Sequence, residues 1–190
     1  MSTSGTGSGN HRAQGGTQVL PARPGGRRSA AEGPAGRESA GKENAFHRCR
    51  RYRTDHRLFA EVDPALGRIM LEVGAVGAVV MPATLGASVA AALSGPHRCP
   101  IIAHPRSDRW TFLTGPTDNS YLDMSLFADL FRVCASIALP GSRIVLPSPA
   151  DERTGYRSWV SAPEDDYRPD LTEVTTVTRA AAAAPRCGMN

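Results

Sequence analysis

Short apolar runs alternate with glycine, proline and polar punctuation along most of this chain. Arg68 to Val73 (RIMLEV) and Gly77 to Met81 (GAVVM) read as strands, the second apolar throughout, with Gly74-Ala75 breaking between them. Asp63-Pro64-Ala65-Leu66-Gly67, just ahead, reads as a turn. Pro82 suits the first turn of a helix, on which Leu85, Val89 and Leu93 share one face and which Ser94-Gly95-Pro96 ends. Pro100 to His104 (PIIAH) and Arg109 to Thr114 (RWTFLT) flank Pro105-Arg106-Ser107-Asp108 and predict a β-hairpin. Leu122 to Ala135 predicts a second amphipathic helix with Leu126, Leu130 and Val133/Cys134 inward. Ile137 to Leu139, Arg143 to Leu146 and Tyr156 to Ser161 predict short strands. A polar, proline-bearing loop covers Pro147 to Thr154 and an acidic loop covers Ala162 to Asp170. Leu171 to Ala184 predicts a closing helix. At the front, Phe46 to Leu58 predicts a basic helix with Phe46, Cys49 and Tyr52 on one side.

Apart from that basic helix, the order is β-β-α-β-β-α-β-β-β-α. Helices alternating with hairpins imply the α+β class, with helices packed on an antiparallel or mixed sheet. Residues 46–184 are expected to form this single domain, and residues 185–190 to fray.

Composition changes the picture at the N-terminus. Residues 1–45 hold ten of the nineteen glycines, no aromatic residue, and only Val19 and Leu20 as large aliphatics. Such a segment cannot bury enough apolar surface to offset its ordering entropy, so a disordered Gly/Arg-rich tail is expected there. Charge is segregated as well. Residues 1–45 carry six basic and three acidic groups, residues 46–57 five arginines and Asp55, and residues 58–190 eleven basic and fourteen acidic groups. The sequence pI of about 9.2 therefore belongs to the arm and not to the fold. A basic arm on a mildly acidic domain fits either a polyanionic partner or a solubilising tail.

The four cysteines, Cys49, Cys99, Cys134 and Cys187, show no paired spacing and suggest no disulfide framework; Cys134 reads as core. No apolar leader opens the chain, and the apolar run from Val73 to Met81, nine residues broken by glycine, is too short to span a bilayer. A cytoplasmic location with no membrane partner is the expectation.

Two-metal nucleotidyl transfer needs clustered carboxylates that hold Mg²⁺ or Mn²⁺ against phosphates. Glu61 and Asp63 have the acid-x-acid spacing that shares one strand face, or else they open the turn at Pro64. Asp151-Glu152 and Asp165-Asp166 lie beside prolines and read as solvated surface. His47-x-Cys49 and Cys99-x₄-His104 lack the tight pairing of zinc sites, so no metal ligands are assigned and no cofactor is expected unless the chain is catalytic. The hairpin turn gathers His104, Arg106, Ser107, Asp108 and Arg109, which either bind phosphate or form an ordinary charged turn.

The stretch Pro140 to Val160, PGSRIVLPSPADERTGYRSWV, carries Gly141, Val145, Pro147, Ser148, Gly155, Tyr156 and Trp159 in a distinctive rhythm. It resembles the end of the bifunctional DNA primase/polymerase (prim-pol) domain. The hairpin IIAHPRSDRWTFLT looks like that family's Ser-x-His hairpin, and AVVMPATLGASVAAAL is similar to the strand-Pro-helix unit of short actinobacterial prim-pol-like proteins. The resemblance covers about residues 68–180. It implies the fold and a capacity to bind nucleotide or nucleic acid. Two departures limit what else it implies: Val73 to Met81, which resembles the family's catalytic strand, carries no acid, and Ser107-Asp108-Arg109 stands where Ser-x-His would be.

Three functions follow as expectations. The first is a degenerate, non-catalytic prim-pol-like domain that binds nucleic acid or nucleotide, with Arg48, Arg50, Arg51 and Arg53 of the basic helix and Arg106, Ser107 and Arg109 of the hairpin as phosphate contacts. The second is a protein-interaction module with a solubilising tail, docking through its sheet or the helix at 171–184. The third is an active primase/polymerase with relocated acids, Glu61 and Asp63.

Overall fold

Asn44 starts the first helix by accepting a hydrogen bond from the His47 backbone N–H at 2.9 Å, and a left-handed residue at Arg57 (φ 48°) turns the chain after it. The computed structural model describes residues 43–117 and 123–184; most of the Gly/Arg-rich tail, the start of the predicted helix at 122 and the C-terminal residues 185–190 lie outside that range. The helix, α1, covers Ala45–Thr54, shorter than the sequence pattern suggested. Cys49 and Tyr52 are buried as expected, whereas Phe46 is 67% exposed.

Two antiparallel sheets follow. β1 (Ala60–Val62), β2 (Ile69–Glu72) and β7 (Arg143–Leu146) form the smaller, in the order β1-β2-β7. The larger orders β6 (Ser136–Ile137), β3 (Gly77–Pro82), β5 (Arg109–Thr114), β4 (Ile101–His104) and β8 (Ser158–Ser161) as β6-β3-β5-β4-β8. Among the described residues every strand pair is antiparallel, so the sheets are antiparallel and not mixed. The helices are α2 (Ala83–Ala92), α3 (Met124–Arg132), α4 (Pro149–Arg153) and α5 (Leu171–Ala183).

Period-two alternation gives the larger sheet two buried faces. Ala78, Ile102 and Leu113 face a core shared with Ile69, Leu71, Ile144 and Leu146 of the small sheet and with Cys49 and Tyr52 of α1. Val79, Met81, Ile101 and Phe112 face the opposite way, against Val89, Leu130, Leu171 and Val174 of α2, α3 and α5. The apolar side of α5 is therefore used inside the domain and is not free for a partner.

Four local readings change. β1 was unforeseen; three residues carry too little pattern to register. Pro82 ends β3 and caps α2 instead of opening it. Pro147 to Thr154 is not merely a loop: Ser148 and Asp151 form a reciprocal capping box and nucleate α4. Cys134 is exposed, not core, because α3 stops at Arg132 and the chain passes through a left-handed residue at Cys134 (φ 55°).

Candidate anion-binding site

The hairpin β4–β5 pairs Ile102 with Thr111 and His104 with Arg109, so these four side chains lie on the sheet face turned towards the small sheet. β3 adds Val80, opposite Thr111, and Ala78, opposite Leu113. His104 Nε2 lies 2.8 Å from the Thr111 hydroxyl. Burial holds the imidazole below its ordinary pKa, and the charges of Arg157 and Arg109 reinforce this. The hairpin tip is a single 3₁₀ turn, Pro105–Ser107, closed by Asp108 in the left-handed region (φ 50°), where Asp is tolerated.

The loop after α4 meets this tip. Gly155 turns the chain with φ 63°, and the Tyr156 backbone N–H donates to the Asp151 carbonyl at 2.9 Å. Three guanidiniums surround the Tyr156 ring, with Cζ-to-centroid distances of 4.5 Å for Arg157, 4.6 Å for Arg106 and 5.8 Å for Arg68. Arg68 arrives from the start of β2, just after the left-handed Gly67 (φ 61°). The nearby carboxylate is Asp151, 9% exposed, and not the solvated acid that its sequence context suggested. Its Oδ2 accepts from the Ser148 hydroxyl at 2.8 Å and backbone N–H at 3.2 Å, and its Oδ1 lies 3.5 Å from Arg157 Nη1. Arg157 Nε is buried and has no hydrogen-bond partner among the described residues. Arg68, Arg106 and Arg109 form no ion pair among the described residues; Arg109 donates to the Cys134 carbonyl at 2.7 Å and the Val80 carbonyl at 3.4 Å. Ser107, exposed, donates to the His104 carbonyl at 3.3 Å.

The site thus concentrates four arginines and a histidine, of which only Arg157 is ion-paired among the described residues, to Asp151; the Asp108 of the tip is exposed. Guanidinium forks suit phosphate oxygens, and an uncompensated cluster of them attracts polyanions. Sequence reasoning grouped Arg106, Ser107 and Arg109 but not Arg68, Tyr156 and Arg157, which the structure places beside Arg106. The Ser-x-x-Asp capping signature at Ser148 and Asp151 was readable; nothing local to Arg68 announces its neighbours.

The basic-helix candidates divide. Arg48 is held inside the fold: it donates to Glu43 at 2.7 Å and Glu152 at 3.0 Å, and its side chain is 13% exposed. Its charge is answered there, so it is not an open phosphate contact. Arg51 approaches Glu43 at 3.5 Å, and Arg53 donates to the Ala60 carbonyl at 3.4 Å; Arg50 is exposed. Phosphate candidates on α1 therefore reduce to Arg50, Arg51 and Arg53.

Glu61 and Asp63 do not form the metal pair their spacing allows. Glu61 is exposed on β1, while the Asp63 carboxylate accepts from the Ala65 and Leu66 backbone N–H groups at 2.8 and 2.9 Å and closes the turn before β2. Among the described residues, no group of three His, Cys, Asp or Glu side chains is placed to hold a metal ion. Also among the described residues, no helix is long and apolar enough to cross a membrane.

The residues of the Pro140 to Val160 stretch have structural uses in this chain. Gly141 (φ 79°) and Gly155 take left-handed turns, Ser148 caps α4, and Tyr156 carries the arginines. The Tyr52 hydroxyl donates to the Pro147 carbonyl at 2.8 Å and accepts from Trp159 Nε1 at 2.8 Å. No family model, curated protein or solved structure matches the chain.

Proposed function

We propose that this domain binds nucleic acid or nucleotide through phosphate, as a prim-pol-like domain without polymerase chemistry. The observation that carries the reading is the arginine cluster at the hairpin tip: Arg68, Arg106 and Arg157 on one tyrosine ring, with Arg109 beside His104 and, of these four arginines, only Arg157 ion-paired among the described residues. Two further facts support the absence of catalysis in this reading. β3 presents Ala78 and Val80, not carboxylates, on the face turned towards the cluster, and Asp63 is used in its own turn. The exposed Arg50, Arg51 and Arg53 of α1 add long-range attraction.

Fluorescence anisotropy of labelled single- and double-stranded DNA against the full chain, across a salt series, tests it. Affinity should fall steeply with salt, and Arg106→Ala should weaken binding and lower the salt slope by about one. Binding that is flat from low to physiological salt would refute the proposal. Primer synthesis with Mg²⁺ or Mn²⁺ that depends on Asp63 would restore the catalytic alternative. One observation favours a protein partner instead: α3 exposes Met124 at 82% and Phe131 at 81%, one apolar stripe facing solvent.

A further inference from the structure

Three guanidiniums around one aromatic ring is an unusual way to place like charges. Arg106 and Arg157 sit at 4.6 and 4.5 Å from the Tyr156 centroid, close enough for the ring quadrupole to attract both. Arg68, from a different sheet, completes the set at 5.8 Å. No ion pair compensates Arg68 or Arg106 among the described residues, and the Asp151 carboxylate is shared between Arg157 and the Ser148 cap. An arrangement serving stability alone would answer these cations with carboxylates. Here the ring gathers Arg68 and Arg106 beside Arg157, with neither of the first two ion-paired among the described residues, and the repulsion among the three is relieved when an anion arrives.

Resting on the proposed phosphate-binding function, we infer that Tyr156 is a positioning residue whose ring holds Arg68, Arg106 and Arg157 as one surface for phosphate oxygens. The ring already carries guanidiniums at stacking distance, so it serves as a mount for cations and not as a platform for a base. Guanidinium forks match phosphate oxygens in charge and geometry, and the Asp151 carboxylate beside them is committed to its cap. The ligand class is therefore phosphate itself, in a nucleic-acid backbone or a nucleotide tail, recognised without regard to the base.

The test uses the full chain and a labelled oligonucleotide at low salt, with circular dichroism confirming the fold of each variant. Tyr156→Phe keeps the ring and should bind within about twofold of the parent, whereas Tyr156→Leu should lose about tenfold. Arg106→Lys keeps the charge but not the planar fork, and it should lose nearly as much as Arg106→Ala. Because Arg106 is exposed, that comparison holds even if Tyr156→Leu fails to fold. Inorganic tripolyphosphate should displace the oligonucleotide as well as a nucleoside triphosphate does. Displacement by a nucleoside triphosphate at far lower concentration would show base recognition and overturn the phosphate-only assignment. If Arg106→Ala weakens binding while Arg106→Lys and Tyr156→Leu match the parent, the positioning role is wrong and the phosphate-binding reading survives. If Arg106→Ala changes nothing, the phosphate-binding reading itself fails at this site.

Discussion

Replacing Tyr52 with Phe removes one oxygen that ties together α1, the loop entering α4, and β8. Tyr52 is 3% exposed; its hydroxyl donates to the Pro147 carbonyl and accepts from Trp159 Nε1, both at 2.8 Å. The phenylalanine ring preserves the edge-on contact with Trp159, whose centroid lies 5.8 Å away at 78°, so the substitution isolates the hydroxyl. Two hydrogen bonds at about 1 kcal/mol each are lost, and the buried Pro147 carbonyl is left without that partner, an added cost within the roughly 1–3 kcal/mol of an orphaned buried group. Trp159 is only half-buried, so water can reach its N–H and that penalty is small. Arg48, 3.4 Å from the hydroxyl, retains Glu43 and Glu152. The total is about 3–5 kcal/mol, or roughly 9–15 °C in Tm for a domain of this size. Urea unfolding followed by tryptophan fluorescence measures it, with an unchanged m-value showing that the folded and unfolded ensembles are comparable. A cycle with Trp159→Phe adds a stricter check: the two changes share one hydrogen bond, so the double variant should cost about 1 kcal/mol less than the sum. A loss below about 0.5 kcal/mol, within the range of an ordinary surface substitution, would refute this account of the network.

Gly77→Ala should prevent stable folding, because a Cβ there would lie within 3 Å of the Thr114 and Thr117 hydroxyls and the Gly115 carbonyl oxygen, and backbone cannot move aside cheaply; soluble yield and circular dichroism report it, and a parent-like Tm would contradict it. His104, held below its ordinary pKa of 6.5, binds its proton less readily folded than unfolded, so stability should fall as pH drops below about 6.5 towards the depressed folded value. His104→Gln should flatten that part of the pH–Tm curve, and an unaltered slope would show that another group dominates.

Much of the architecture was legible from local pattern. The apolar runs gave β2, β3 and the β4–β5 hairpin nearly to the residue, because period-two burial on a sheet leaves its mark in sequence. The α+β class followed from the alternation of hairpins and helices. Chain ends of elements were less readable: β1 is too short to show a period, and α4 depends on a capping box whose Ser148 and Asp151 look like loop residues until their side chains are seen to close on each other.

The candidate site divides in the same way. Arg106, Ser107 and Arg109 sit together because a hairpin turn is local, so sequence alone could group them. Arg48 belongs to the same stretch of positive charge as Arg50, Arg51 and Arg53, yet only tertiary packing sets Glu152 against it, 104 positions away, and takes it out of the open set. Likewise, Arg68 and Arg106 reach Tyr156 from distant segments in two different sheets, and Asp151 is buried in the folded domain. Sequence determines which residues alternate, cap and turn, since those depend on neighbours a few positions apart. Which charges remain unanswered depends on contacts between distant segments, and only the folded chain decides that.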